Sequence, residues 1–364
     1  MMSLLHSTHR RGVVAFFALL LTAAGVQAAP FSVRATRVGD APIVAPAMLP
    51  GKEGDSINGP SLLRVPDWVP NPLGRYYLYF AHHNGNYIRL AYADRPEGPW
   101  KIHEGGVFSL GAQNVIAGHI ASPHVVVDEQ QKRLYLFYHG NNPRKNEMKL
   151  EGDVEGGQLT GVAVSSDGLA FESLNRVVGP AYLQVFAYDG RWFALNHSGV
   201  LREAKQIGER FEPVAKVIGP DILEAVDPAR RGEPGATPAE QRPPNGPFRY
   251  SIRHIGVDVA GDRLVVHFSC VGHRPERILC TVVKLAGDPK DWRARGTYEV
   301  LQPERPWEGG DLPLAYSRGG ISTTPVRELR DPAVLREDGK AWLVYSIAGE
   351  HGLGLAALHY AGND

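Results

Sequence analysis

Cysteine is nearly absent: the 364 residues hold two, Cys270 and Cys280. Two thiols cannot build a Cys-rich zinc site or a disulfide scaffold; they can form at most one bridge. Neither sign of charge is in excess, with 39 Lys+Arg against 39 Asp+Glu. That removes the basic surplus a nucleic-acid-binding surface needs, and no acidic tail exists. No apolar run after residue 28 is long enough to cross a bilayer. His-Glu-x-x-His, Asp-rich calcium loops, Gly-x-Ser-x-Gly and Gly-rich phosphate loops are all missing. No metal, no cofactor and no serine nucleophile is expected. An apolar period of 3.6 is lacking as well, which argues against a TIM barrel or a helical bundle.

Glycine and proline are plentiful, 41 and 28 residues, well above their average usage and typical of a chain with many turns. The N-terminus reads as a secretory leader. His9-Arg10-Arg11 form a basic region, residues 12–26 an apolar stretch, and Val26-Gln27-Ala28 a small-residue cleavage site. Residues 1–28 are therefore expected to be removed and 29–364 to form one exported domain, periplasmic or secreted, with no remaining membrane attachment.

A basic residue followed by an aromatic or apolar run and a polar tip recurs five times, from Arg75, Arg133, Arg191, Arg263 and Lys340. These runs are rich in Tyr, Phe, Val and Leu, as strands are. A further strand precedes each run (61–65, 124–128, 183–188, 255–260, 333–337), and a third follows it (88–93, 159–166, 199–204, 278–285, 353–360). In the first four units a turn and then Trp100, Phe171, Phe211 or Trp292 open a fourth, outer strand. Five such units predict an all-β fold, a five-bladed β-propeller. The fifth unit ends one strand short, and residues 31–38 are expected to supply that strand beside 353–360. Cys270 and Cys280 fall on adjacent strands of unit four, with a hairpin near 272–276, and are expected within bridging distance. The Pro-rich stretch 220–247 reads as a long loop between units three and four.

Inner strands of a propeller begin around a central channel. Aligning the units on their basic residue sets Asp331 against His254, Tyr182 and His124, with Asn58-Gly59 placed there by Pro60, which matches Pro123 and Pro332. The predicted rim is Asn58, Ser122, His124, Tyr182, Arg253, His254, Arg330 and Asp331. A second polar set, His82, His83, His139, Asn141, His197 and Glu350, follows the central strands. Imidazoles and amides of this kind suit sugar hydroxyls, which need donors and acceptors in fixed directions.

The run Arg330-Asp331-Pro332-Ala333-Val334, followed by Asp338-Gly339-Lys340-Ala341-Trp342-Leu343-Val344-Tyr345-Ser346, resembles the blade-opening motif of five-bladed-propeller glycosidases. These include the arabinanase and β-xylosidase family, the fructosidases and the neoagarobiose hydrolases. Asn58-Gly59-Pro60-Ser61-Leu62-Leu63, Tyr76-Tyr77-Leu78-Tyr79-Phe80, and Ala91-Tyr92-Ala93-Asp94 with Gly98-Pro99-Trp100 are similar to their first blade. The resemblance implies hydrolysis of a plant or algal polysaccharide, or of oligosaccharides from one. Such chemistry needs one protonated acid and one ionised carboxylate. It implies Asp331 as base or nucleophile. The acid does not carry over by motif: Glu350 is placed by position, ahead of Glu308 and Asp311, and His254 stays open because some relatives are thought to use His. Relatives hold a single cation in the channel, for which no ligand spacing appears here. Asn58 departs from the pattern, since Asn cannot be a base. This keeps two alternatives open: a sugar-binding propeller without catalysis, or a polysaccharide lyase using His254, Tyr182 and Arg253.

Overall fold

The computed structural model describes residues 30–143, 157–238, 241–242 and 250–362; the leader expected over residues 1–28 lies outside them. The central runs lack the alternation of half-exposed strands because they are covered on both faces. β1 (Ser32–Arg37) precedes blade one, which holds β2 (Asn58–Arg64), β3 (Tyr76–Ala81), β4 (Tyr87–Ala93) and β5 (Lys101–Ser109). Blade two is β6 (Ala117–Asp128), β7 (Arg133–Asn141), β8 (Gln158–Ser165) and β9 (Glu172–Pro180). Blade three is β10 (Gln184–Tyr188), β11 (Arg191–Leu195), β12 (Val200–Ala204) and β13 (Glu212–Lys216). Blade four is β14 (Ser251–Ala260), β15 (Arg263–Val271), β16 (Ile278–Lys284) and β17 (Ala294–Leu301). Blade five contains β18 (Arg330–Glu337), β19 (Lys340–Ser346) and β20 (Leu353–Ala361). Each sheet is four antiparallel strands, β1 serving as the outer strand of blade five, and the chain is a five-bladed propeller.

Successive side chains of a strand point to opposite faces, so each central strand feeds two interblade layers. Tyr77 and Tyr79 pack with Leu134, Leu136 and Tyr138 of blade two. Leu78 and Phe80 pack with Val344 and Leu355 of blade five. The three remaining layers are built the same way. The core is thus divided among the five clefts between blades, and the channel at the axis is left to polar residues.

The ring closes as predicted: β1 pairs with β20, from Ser32 opposite Ala361 to Arg37 opposite Ala356. Phe31 anchors the closure, its ring 5.0 Å from Tyr298 and 5.8 Å from Tyr360. Arg37 makes a two-point salt bridge to buried Glu308, 2.8 and 2.9 Å, and Tyr345 donates to the same carboxylate. Glu308, one of the lesser candidates for the acid, is therefore a clasp of the ring, while Asp311 is exposed on a loop beside it.

The expected cysteine bridge is corrected. The two residues do lie on adjacent strands, but Cys280 pairs across from His267, and Cys270 lies three positions further along β15, opposite Ile252 of β14. An odd offset puts the two thiols on opposite faces: Cys270 sits in the layer between blades three and four, Cys280 in the one between four and five. Both are free and buried. A native bridge would add about 2–4 kcal/mol. Melting curves with and without dithiothreitol should therefore superimpose; a clear drop under reduction would contradict this packing.

Candidate active site

The inner strands are interrupted where they reach the channel. Pairing skips between Asn58 and Ser61, Ala121 and His124, Ile252 and Ile255, and Arg330 and Ala333. Bulges of this kind re-aim side chains beside functional sites. Gly59, Ser122 and Asp331, each followed by Pro, have left-handed φ values of 56°, 42° and 49°, and Tyr182 has 65° just ahead of β10. Non-glycine residues held there store strain of order 1 kcal/mol or more. Gly59 has a further reason to be glycine, because a Cβ would stand 2.7 Å from the Ser122 Cα.

The strand register fixes the alignment of the units. Gly59, not Asn58, is the blade-one counterpart of Asp331, and Asn58 corresponds to Arg330. In blade two the counterpart is Ser122, not His124, because the tip between Asp128 and Arg133 is two residues longer than that between Tyr188 and Arg191. His124 instead lies between blades two and three, its Nε2 2.8 Å from the Val185 carbonyl and its ring packed on Phe137. Burial lowers its pKa to about 4, so it is a neutral packing residue and not part of the rim.

Gly59, Ser122, Tyr182, His254 and Asp331 surround an axial hollow of about 20 Å³, space for roughly one water. Asp331 is the charged member. Burial alone would raise its pKa, but the charge and hydrogen bond of His254, reinforced by Arg253 and Arg330, hold it well below the usual carboxylate range. Its Oδ1 is ion-paired with His254 Nδ1. Its Oδ2 accepts from Ser346 Oγ at 3.2 Å and from the Gly59 amide at 3.4 Å. The His254 ring in turn lies 4.2 Å from the Tyr182 ring, which is 4.0 Å from His139 and 5.4 Å from His197. Tyr182 donates its phenol proton to Gln158 at 2.7 Å. Burial, and then the nearby His254, keep His139 neutral.

Glu350, the other predicted catalytic carboxyl, sits in a second network. It accepts from Ser56 Oγ at 3.0 Å, Asn58 Nδ2 at 3.0 Å and Arg330 Nη1 at 3.0 Å, and His83 Nδ1 lies 3.2 Å away. Burial pushes its pKa up, but the His83 hydrogen bond, followed by the His83 and Arg330 charges, outweighs burial and lowers it. An ionised, fully partnered carboxylate holds its neighbours in place and has no proton to give. His82 accepts from the Asn84 amide at 3.1 Å. Asn141 lies exposed at the end of β7.

Two carboxyls that the sequence pattern does not single out complete the site. Glu276 is fully buried and grips Arg253 through two 2.8 Å contacts, with Ser269 Oγ at 2.7 Å. Burial would raise its pKa, but Arg253 outweighs that and lowers it. Glu328, paired with Glu276 through a parallel bridge, contacts Arg330 Nε at 2.7 Å. Charge counting explains their difference. Arg253 is committed to Glu276, so the single guanidinium of Arg330 faces both Glu350 and Glu328. Burial, aided by the like charge of Glu276 and opposed by Arg330, raises the Glu328 pKa. Glu328 and Arg330 also line a cleft of about 690 Å³ whose walls include Pro228, Gly235–Thr237 and Arg242 on one side and residues of 313–327 on the other. Arg330 thus lines the cleft and Asp331 the axial hollow, as consecutive residues.

No family model matches the sequence. The chain is 29% identical over 321 residues to an uncharacterized protein of Acanthamoeba polyphaga mimivirus, with 83% of each chain covered. Among solved structures it is similar to a proposed glycoside hydrolase from Parabacteroides distasonis (13% identity, TM-score 0.56, covering 89% of this chain and 95% of that one). It is also similar to a family-43 β-xylosidase/α-arabinofuranosidase from a compost microbial metagenome, solved with xylotriose (12%, TM-score 0.53, 90% and 94%). A family-43 enzyme from Xanthomonas citri, also with xylotriose, is a third (12%, TM-score 0.52, 90% and 89%). At such identities the likeness speaks for architecture: the chain has the five-bladed propeller fold shared with family-43 glycoside hydrolases.

Proposed function

We propose that this protein is an exported glycoside hydrolase that cuts a plant or algal polysaccharide, or oligosaccharides from one, at the channel mouth. The observation that carries this reading is the Asp331–His254 pair at the axis, an ionised carboxylate on a strained inner-strand bulge holding an imidazole. Solved neighbours with xylotriose or arabinohexaose add weight. Hydrolysis breaks the bond from the anomeric carbon to the leaving oxygen. The leaving oxygen takes a proton, and water delivers hydroxide to the carbon. Glu328, the carboxyl whose pKa burial raises, supplies the first proton. His254, oriented by Asp331, takes the proton from water, and the charge of Asp331 stabilises the imidazolium.

The lyase reading loses ground on one observation. Its Arg would have to neutralise a uronate, yet Arg253 is bound to Glu276 and to the Arg318 carbonyl at 2.6 Å. A panel of plant and algal glycans, assayed for new reducing ends, tests the proposal; inactivity across the panel would favour a sugar-binding propeller instead.

The role of Glu328 has its own test. Glu328→Gln should lower turnover about tenfold or more on natural linkages and much less on aryl glycosides, whose leaving groups need no proton. In the parent enzyme kcat/KM should fall as pH rises through the raised pKa of Glu328, and the variant should lose that limb. Equal losses on both substrate classes would assign the acid elsewhere.

A further inference from the structure

The cleft beside the channel holds Glu328, which the hydrolytic reading uses, and arginines, which it does not. Four arginines line it, Arg242, Arg318, Arg327 and Arg330, and Glu328 is the one carboxyl among its described lining residues. Glu328 is the carboxyl whose proton burial favours. Three of the arginines have partners: Arg242 is answered by Asp227 through two 2.7 Å contacts, Arg330 by Glu350 at 3.0 Å, and Arg318 has an interaction of its own. Arg327 is different. It makes no ion pair among the described residues, and its half-buried side chain has a buried Nε with no hydrogen-bond partner. A buried donor of this kind calls for an acceptor that the protein does not provide. The loop that carries Arg318 is held in place, since Arg253 and Arg330 donate to the carbonyls of Arg318 and Gly320. Thr323 and Thr324, exposed on the same wall, add hydroxyl donors.

We propose that the cleft is a subsite for an anionic sugar, with Arg327 receiving a carboxylate or sulfate carried by the saccharide. The proposal rests on the hydrolase reading only in taking that saccharide to be a substrate. A planar guanidinium receives either oxyanion through paired, charge-assisted hydrogen bonds, and a neutral chain would leave the Arg327 donor without a partner. Uronates and sulfate esters share this chemistry, so the test carries one arm for each.

Calorimetric titration of the full-length Asp331→Asn protein, which cannot consume its ligand, decides the matter. The probes are an oligogalacturonate and its methyl ester, and a sulfated galacto-oligosaccharide and its desulfated twin. At least one anionic probe should bind about tenfold or more tightly than its neutral twin, and added salt should shrink the preference. Arg327→Gln in the same background should remove most of that preference while leaving the neutral twin unchanged. Equal binding of twins, a preference indifferent to Arg327→Gln, or no binding by any probe would overturn the subsite. The two proposals fail separately. Anionic probes that bind but survive the wild-type enzyme contradict hydrolysis alone, whereas neutral glycans that are bound and cut in preference contradict the anionic subsite alone.

Discussion

Asp331→Asn should reduce turnover on the natural glycan by about a hundredfold or more while leaving the fold intact. The structure gives both halves of that expectation. Asn tolerates the left-handed conformation that Asp331 adopts better than most residues do. Its carbonyl oxygen can still accept from Ser346 and the Gly59 amide. What is lost is the charge that faces His254, and with it the stabilisation of the imidazolium as water is deprotonated. Residues acting as a unit are non-additive, so the Asp331→Asn, His254→Gln double variant should be little slower than the slower single variant. Circular dichroism and melting should stay close to the parent. Independent, multiplying losses would mean that the two residues do not work together, and full activity in Asp331→Asn would remove this pair from the reaction.

The largest stability effect is expected away from the reacting groups, at Arg253. Replacing it by Leu leaves Glu276, which is fully buried, without the guanidinium that grips it. It also frees the carbonyl of Arg318 and leaves that of Gly320 to Arg330 alone. Removing one partner of a buried ion pair costs about 3–5 kcal/mol, to be read from urea unfolding at neutral pH. The sign with pH follows from Glu276, whose folded pKa lies below its ordinary value because of Arg253. The pair contributes fully above the unfolded carboxylate pKa of about 4.3, and that contribution is lost as pH falls through the lower folded value. The gap between parent and Arg253→Leu should therefore be widest at neutral pH and narrow in acid. Adding Glu276→Met should recover much of it, since an apolar pair of similar volume has no charge to desolvate. A pH-independent gap would show that the pair is not the cause.

The propeller is legible in the sequence because it rests on repetition. Five runs such as Tyr76–Phe80 and Leu343–Tyr345 are apolar on both faces for one physical reason, and the missing outer strand of blade five has to come from residues near 31–38. Single-residue register is harder to read. Alignment on the basic residues misplaces His124 against Asp331, because the tip of blade two is two residues longer; Pro60, matched to Pro332, sets Gly59 opposite Asp331, since the two strands carry the same bulge. A two-residue displacement keeps the alternation of the strand and moves only its polar end. The cysteine bridge fails on parity: the strands are adjacent, but an odd offset turns the thiols to opposite faces.

The site is legible in its inner-strand members, Asp331, His254, Tyr182 and Arg253, which come together at the channel. Glu276 and Glu328 are not, since each lies on a connection outside the repeated strands and no periodicity marks it. Glu350 does fall near the rim as its position suggests, but its sequence neighbours do not show that Arg330, His83, Asn58 and Ser56 bind it. Charge state depends on partners brought from other blades, and that information appears only once the ring is closed.

Hydrolysis of a glycosidic bond in this channel by the Asp331–His254 pair can be tested by digesting the glycan panel in water labelled with heavy oxygen and weighing the products at once. The wild-type protein should give fragments heavier than their parent residues by one labelled water, with the label at the new reducing end, and Asp331→Asn should not. Unlabelled fragments carrying a new carbon–carbon double bond, or labelled fragments formed equally well by Asp331→Asn, would contradict it.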